Sequence, residues 1–344
     1  MNRRGFLSTG RSLADLMEPQ GAITPPPDIA LLRASRRAMA TLFEIILPFG
    51  LPRATEAAEA ALDFIDELED QLTVFRAHSE VSQLNERAFG EDVSVEARLF
   101  DLFSLSAHLT RETRGAFDIA TGALIKAWGF YKRDGRVPSV AERAAAMSRT
   151  GMRHVILNAE RQTVRYLRKG LEINLGAIGK GYALDRTAEM LLEQWNIGSA
   201  LLHGGTSSVR ALGCPPGQPR GWAVSLRHPW ELERMIGTIY LRDQALGTSA
   251  ATHQHFKYNG RTLGHLLNPR NGWPAEGHRQ VSVVAPTAAE ADALSTAFFV
   301  MDLEETQHWC QTRPHIGAVI LPAGANAEPV VINLTPGSFA LPLP

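Results

Sequence analysis

Cysteine is nearly missing from this chain. Its 344 residues include two, Cys214 and Cys310. Two thiols build no disulfide framework, and no Cys–His cluster of metal-binding spacing accompanies them. An excess of one charge is missing too. Lys and Arg number 35 against 36 Asp and Glu, a formal net charge of −1. That balance gives no reason to expect a nucleic-acid or membrane surface as partner. No apolar run is long enough to form a transmembrane segment, and there is no internal repeat or low-complexity tract. What is present, 44 % hydrophobic and 21 % charged residues, is the composition of a soluble globular protein. The length suits one large domain or two ordinary ones.

The N-terminal run Asn2-Arg3-Arg4-Gly5-Phe6-Leu7 resembles a twin-arginine export motif. Such a signal needs an uninterrupted apolar stretch behind it, and Arg11, Asp15 and Glu18 break that stretch. A cytoplasmic location is therefore expected over export. Residues 1–33, with Pro25-Pro26-Pro27 near their end, read as a flexible tail and Pro-rich linker.

A strand is expected over Ala40–Leu47, followed by a helix over Thr55–Phe75. In that helix Ala58, Leu62, Ile65, Leu68 and Leu72 recur at three- and four-residue intervals. A second helix is expected from a Ser94 cap to a Gly115 terminator. His154–Asn158 and Thr163–Leu167 form a predicted hairpin within a β-rich region over 152–176. The most informative stretch is Ile173–Asp185. It reads as a strand, a tight glycine-rich turn and a helix, with Lys180 beside the N–H groups of the helix start. Fixed N–H donors, the positive helix end and one ammonium together attract phosphate. The spacing is not that of the usual phosphate loop. Strands are expected at 200–203, 221–226 and 236–241. A last long helix begins at Thr287, where Glu290 completes a capping box. Strands and helices mix without a βαβ rhythm, so the fold class is α+β.

Within that last helix Asp292 and Thr296 share a face, with Ser295 beside them. A carboxylate, hydroxyls and a carbonyl are the oxygen ligands a hard cation prefers; a dipole-complementing Asp with back-bonding hydroxyls is the structural alternative. His265 sits in a turn region rich in Asn-Pro and Asn-Gly, where it is either a base or a packing residue. Gly204-Gly205 suggests close backbone approach or a plain turn. The aromatics of Trp128-Gly129-Phe130 line a flat pocket or fill a core.

Taken in order, these segments resemble the ApbE family of FAD:protein FMN transferases. The likeness runs through Met39-Ala-Thr41, Ser79–Asn85, Gly115–Asp118, Ala127–Phe130, Leu175–Asp185, Gly204-Gly205, Thr248-Ser249, His265–Gly272 and Ala291–Thr296. It spans residues 34–335, leaving 336–344 as a C-terminal tail. The resemblance implies a mixed-sheet fold with helices packed on the sheets and an FAD cleft between two lobes. It also implies FAD as substrate and Mg²⁺. The FMN half would pass to a Ser or Thr hydroxyl of a flavin-acceptor protein, a redox-complex subunit, with AMP leaving. By matching position, the Ala177 carbonyl, Asp292, Ser295 and Thr296 would hold the metal. His265 would be the base and Lys180 would touch the diphosphate. Met39, Phe75, Ala116, Phe117, Asp118, Asn174 and Leu266 would line the FAD site.

The departures are informative. Asn174, Thr206 and Asn268 stand where the family usually has Asp, and Phe75 where it has Tyr. Ala250-Ala251-Thr252 replaces a Gly-Asp-Tyr. Asn keeps the size of Asp but exchanges an acceptor for a donor, which removes negative charge near a diphosphate. An FAD-binding protein without transferase activity, and an FAD pyrophosphatase giving FMN and AMP, are the alternative expectations.

Overall fold

Successive residues of the central strands divide between two hydrophobic cores, and that alternation organises the molecule. The computed structural model describes residues 6–7, 30–231, 233–250, 255–324 and 327–342. The chain runs through β1 (Phe6–Leu7), β2 (Leu31–Ala38), β3 (Thr41–Pro48), α1 (Ala54–Leu72), α2 (Glu80–Arg87), β4 (Val93–Ser94) and α3 (Ala97–Glu112). Next come α4 (Gly122–Ala127), α5 (Val140–Met147), β5 (Val155–Asn158), β6 (Thr163–Tyr166) and α6 (Gly179–Trp195). Then follow β7 (Ala200–Gly204), β8 (Ser208–Leu212), β9 (Trp222–Arg227), β10 (Met235–Leu241) and β11 (Ala245–Ala250). After β12 (His255–Tyr258), β13 (Arg261–Gly264), β14 (Leu267–Asn268), β15 (Trp273–Pro274) and β16 (His278–Ala285) stand α7 (Ala288–Val300) and α8 (Leu303–Gln311). The remaining strands are β17 (Gly317–Pro322), β18 (Val330–Ile332) and β19 (Phe339–Ala340).

Nine strands form one sheet in the order β1-β2-β3-β7-β8-β11-β16-β17-β18. Its described pairings are antiparallel. Ile45, Leu47, Leu202, Val283 and Ile320 point into a core shared with α1, α3, α6 and α7. Ile46, Leu201, Val209, Leu246, Val284 and Val319 point the other way, onto Trp222, Ile236, Ile239 and Phe339 of a second sheet, β9-β10-β19. Because side chains alternate along a strand, one sheet serves two layers. Each fully buried aliphatic contributes about 1.5–3 kcal/mol. A third core gathers Leu124, Trp128, Phe130, Ala146, Leu263 and Leu267. The α+β expectation is met by this arrangement. No helix of the described residues is long and apolar enough to cross a membrane.

Several expectations need correction. Ile173–Leu175 is extended but lies in no sheet. Asn85 takes the place of a neighbouring strand: its Oδ1 accepts from Ile173 N (2.8 Å) and its Nδ2 donates to Ile173 O (2.9 Å). Asn174 N donates to Ile119 O (2.8 Å). The helix expected from Ser94 begins at Ala97, capped by Glu96, whose carboxylate accepts from Leu99 N. At its other end both Arg114 and Gly115 have positive φ (50° and 78°), and Gly115 N reaches back to Thr110 O, so Gly115 ends the helix as expected. Thr287 caps α7, yet Glu290 returns its carboxylate to the Thr287 hydroxyl (2.9 Å), so the box is half formed. α7 is the last long helix, as expected, and the shorter α8 follows it. The fold also extends beyond residue 335. Phe339 pairs with Ile239 and is buried between the layers, because the second sheet needs a third strand to close its core.

Candidate functional site

Lys180 and Asp292 come together where α6 crosses the start of α7. Asp292 lies in the second turn of a helix that is almost wholly buried, so its carboxylate must find donors. Gly181 N donates to Oδ2 (2.8 Å), and the Ser208 hydroxyl donates across both oxygens (2.7 and 2.9 Å). The approach requires glycine: a Cβ on Gly181 would lie 2.1 Å from Ala288 O. Burial pushes the Asp292 carboxyl above its ordinary range. The Lys180 ammonium, the Ser208 hydroxyl and the Gly181 N–H all pull it back. Lys180 thus acts electrostatically on Asp292 although it forms no tight ion pair with it.

The hydroxyls of α7 follow this residue three and four positions along the helix. Ser295 Oγ donates to the Asp292 carbonyl (2.9 Å). Ser249, on β11, stands 2.9 Å from Ser295 Oγ and 3.2 Å from Thr296 Oγ1. Ala177 lies in the turn that leads into α6. Among the described residues no group of three or more His, Cys, Asp or Glu could hold a metal ion. The donors on α7 are of another kind: one carboxylate and two hydroxyls. Asp292 has about four lone-pair sites, and Gly181 N–H and the single Ser208 proton occupy two of them. The residual capacity, all oxygen, fits a hard divalent cation.

Asp185 escaped the sequence reading, although it ends the signature stretch. Its two oxygens accept from Ala288 N and Ala289 N (2.8 Å each), capping α7 from the neighbouring helix, with Arg210 Nε at 3.4 Å. Burial raises it to about 6, the two N–H groups and Arg210 lower it, and Asp292 adds repulsion. Ser208 also escaped, because nothing in the sequence shows which strand residue will face α7. Thr248-Ser249 was a visible signal without a role.

The remaining candidates occupy other elements. Asp118 is buried, its oxygens accepting from Met152 N (2.9 Å) and Ala120 N (2.8 Å), and burial raises it above the usual carboxylate range. Ala116 and Phe117 belong to the main core. Asn174 Oδ1 accepts from Gly176 N (2.9 Å) in a local turn. The bond from Asn174 N to Ile119 O sets this turn beside the Asp118 segment. Met39 occupies the β2–β3 turn, where both Met39 and Ala40 have positive φ (46° and 61°). Gly204-Gly205 is a close approach: Gly205 N donates to Leu42 O, and a Cβ there would meet Thr41.

Phe75 is 68 % exposed and packs on Tyr131, with ring centroids 4.7 Å apart. Next to Tyr131, Phe130 meets the His265 ring edge-on (6.4 Å). Leu266 follows, its carbonyl accepting from Ala275 N (2.7 Å). Phe75 and His265 thus each meet one of two successive aromatics, Tyr131 and Phe130, on elements other than α6 and α7. Trp128 is core, its indole N–H donating to Gly272 O (2.9 Å). Arg270 fastens the His265 loop: it donates to Thr113 O and Arg114 O and forms a fork with Glu305 (2.7 and 3.0 Å). Residues 251 and 252 lie outside the described residues.

Comparison with known proteins adds to this geometry. Residues 39–320 match the model of the ApbE family. An "FAD:protein FMN transferase" of Klebsiella pneumoniae is 31 % identical over 72 % of this chain and 71 % of its own length. One of Escherichia coli K12 is 27 % identical over 84 % of this chain and 83 % of its own length. The solved ApbE protein of Thermotoga maritima superposes with a TM-score of 0.79 at 28 % identity, covering 88 % of this chain and 97 % of that one. The flavin transferase ApbE of Vibrio cholerae, at 23 % identity and a TM-score of 0.76, shares the fold.

Proposed function

Because this chain belongs to the ApbE family, we propose that it transfers the FMN moiety of FAD to a Ser or Thr hydroxyl of an acceptor protein, with Mg²⁺ present and AMP released. The observation that supports this reading is the charge of Lys180 acting on the buried Asp292 where α6 meets α7, on the helix whose Ser295 and Thr296 hydroxyls both meet Ser249. An ammonium close to a carboxylate, with further oxygen donors on the same helix, suits a substrate with two linked phosphates.

The roles follow from the chemistry of each group. The acceptor oxygen attacks the phosphorus on the FMN side, the bond to the AMP oxygen breaks, and the hydroxyl proton passes to His265. Lys180 balances charge on the diphosphate. Asp292, Ser295, Thr296 and the Ala177 carbonyl would hold Mg²⁺, which when bound neutralises charge that builds on the phosphate oxygens. Asp185 and Ser208 keep α7 and its carboxylate in place. Phe75 and Tyr131 offer an aromatic surface of the kind a flavin ring stacks on. The acceptor is expected among redox-complex subunits.

The neutral departures fit this reading. Asn174 and Asn268 each use Oδ1 to cap a local turn, toward Gly176 N and Arg270 N. An Asp would fill the same place, so the exchange leaves the backbone intact. Incubation with FAD, Mg²⁺ and an acceptor tests the proposal by mass spectrometry. An FMN adduct on Ser or Thr together with AMP supports transfer. Bound FAD without AMP would instead indicate a binding protein, and FMN plus AMP without an adduct a pyrophosphatase.

A further inference from the structure

One strongly basic concavity lies outside everything assigned so far. It has a volume of about 590 Å³ and is lined by Ser148, Arg149, Arg153, His154, Arg168 and Lys169. Three local structures build it. Arg149 follows the C-terminus of α5, Arg153 and His154 belong to the single helical turn before β5, and Arg168 and Lys169 follow β6. The bond from Leu167 N to His154 O (2.9 Å) ties two of its walls together. Arg149 is anchored by its Nε, which donates to Ala145 O (3.0 Å).

No carboxylate lines it. Basic side chains nearby have acidic partners: Lys126 has Glu172, Arg136 has Glu142 and Arg165 has Asp92. Arg149, Arg153, Arg168 and Lys169 form no ion pair among the described residues. Asp118 feels the Arg153 charge but points its oxygens inward, to Met152 N and Ala120 N. The backbone makes room for the guanidinium groups. A Cβ on Gly151 would lie 2.5 Å from Arg153 Nη1, and one on Gly170 3.1 Å from Arg149 Nη1. Both glycines have positive φ (116° and 78°). These two arginines each lie along the bare backbone of a glycine, their N–H forks free of carboxylate.

Like charges gather at a cost unless an anion joins them. Guanidinium forks match phosphate oxygens two at a time. A hollow of this size admits a compact group, whereas a membrane surface would ask for a flat or convex basic face. We propose that this groove is a binding site for a compact phosphate-bearing anion, separate from the Lys180–Asp292 cluster. Burial, Arg153 and Arg168 together hold His154 below its ordinary range. A bound phosphate would offset the two arginines and move the His154 titration upward.

Calorimetric titration of sodium diphosphate into the full chain at low ionic strength tests this. Saturable 1:1 binding is expected. It should persist in Lys180→Ala, weaken at least tenfold in the double variant Arg153→Ala/Arg168→Ala, and stay unchanged in Arg165→Ala, whose guanidinium is engaged with Asp92. The His154 ring resonances, followed by NMR, should titrate at higher pH with diphosphate than without. Loss of binding in Lys180→Ala with retention in the double variant would place the anion at the other cluster and overturn the proposal. So would an absence of saturable binding. Vesicles of anionic phospholipid provide a further arm. Vesicle or polyglutamate binding by a chain that ignores diphosphate would assign the groove to a membrane or an acidic protein, and would also overturn it.

Discussion

His265 and Asp292 ask different things of a substitution. His265→Ala removes a base at a loop position and leaves the Asp292 donors in place. Transfer should slow about 10²–10⁴-fold while FAD affinity changes little, which AMP release and flavin fluorescence titration measure separately. Asp292→Ala strips the buried carboxylate from two donors, Gly181 N and Ser208 Oγ. The Mg²⁺ dependence of transfer should disappear first. Leaving a buried N–H unpaired should also lower stability by about 1–3 kcal/mol. Asp185 adds a pH signature. Its carboxyl is raised to about 6 in the fold, against about 4 in an unfolded chain. Between those values the folded state holds the proton that the unfolded state has released, so stability falls as pH rises from about 4 to about 6. The contribution is at most about 3 kcal/mol. The thermal midpoint of the parent, followed over that range without metal, should fall relative to that of Asp185→Asn as pH rises.

α6 and α7 touch at a point where no side chain fits. Gly181→Ala would drive its methyl into the Ala288 carbonyl, forcing the helices apart and drawing Gly181 N from Asp292. A stability loss of about 1–3 kcal/mol with a collapse of transfer is expected, read by denaturant titration and AMP release. Much of this element-level picture was visible in the sequence. The apolar spacing of α1, the hairpin β5–β6, the helix start at Lys180 and the Thr287 cap all stand close to where local pattern puts them. The misreadings share a cause. Ile173-Asn174-Leu175 alternates like a strand, but pattern cannot show that Asn85, from a distant helix, supplies the pairing. Trp128 and Phe130 suggested either a flat pocket or a core, and only the packing of Leu263 and Leu267 against them decides for core. Asp185 and Ser208 are legible as residues but not as partners of α7, since that depends on helix crossing and strand register. Arg270 makes the same point for the His265 loop. Arg270→Ala removes ties to Thr113, Arg114 and Glu305, so amide exchange over 265–272 should accelerate.

The double-faced sheet separates stability from chemistry across the whole molecule. One face carries α6 and α7 with the candidate site; the other carries β9, β10 and β19. Ile239 is buried wholly on the second face. Ile239→Ala should cost about 2–5 kcal/mol in denaturant titration yet leave the transfer rate per folded molecule unchanged. The α6–α7 crossing also has a consequence in time. Gly181 and Asp292 are 111 residues apart in the chain yet hydrogen-bonded, and three more strands lie beyond them. A ribosome making this protein in order therefore releases Lys180 long before Asp292 exists. Nascent chains should emerge unable to grip a nucleotide, and that capacity should arrive abruptly, late in synthesis, when α7 docks.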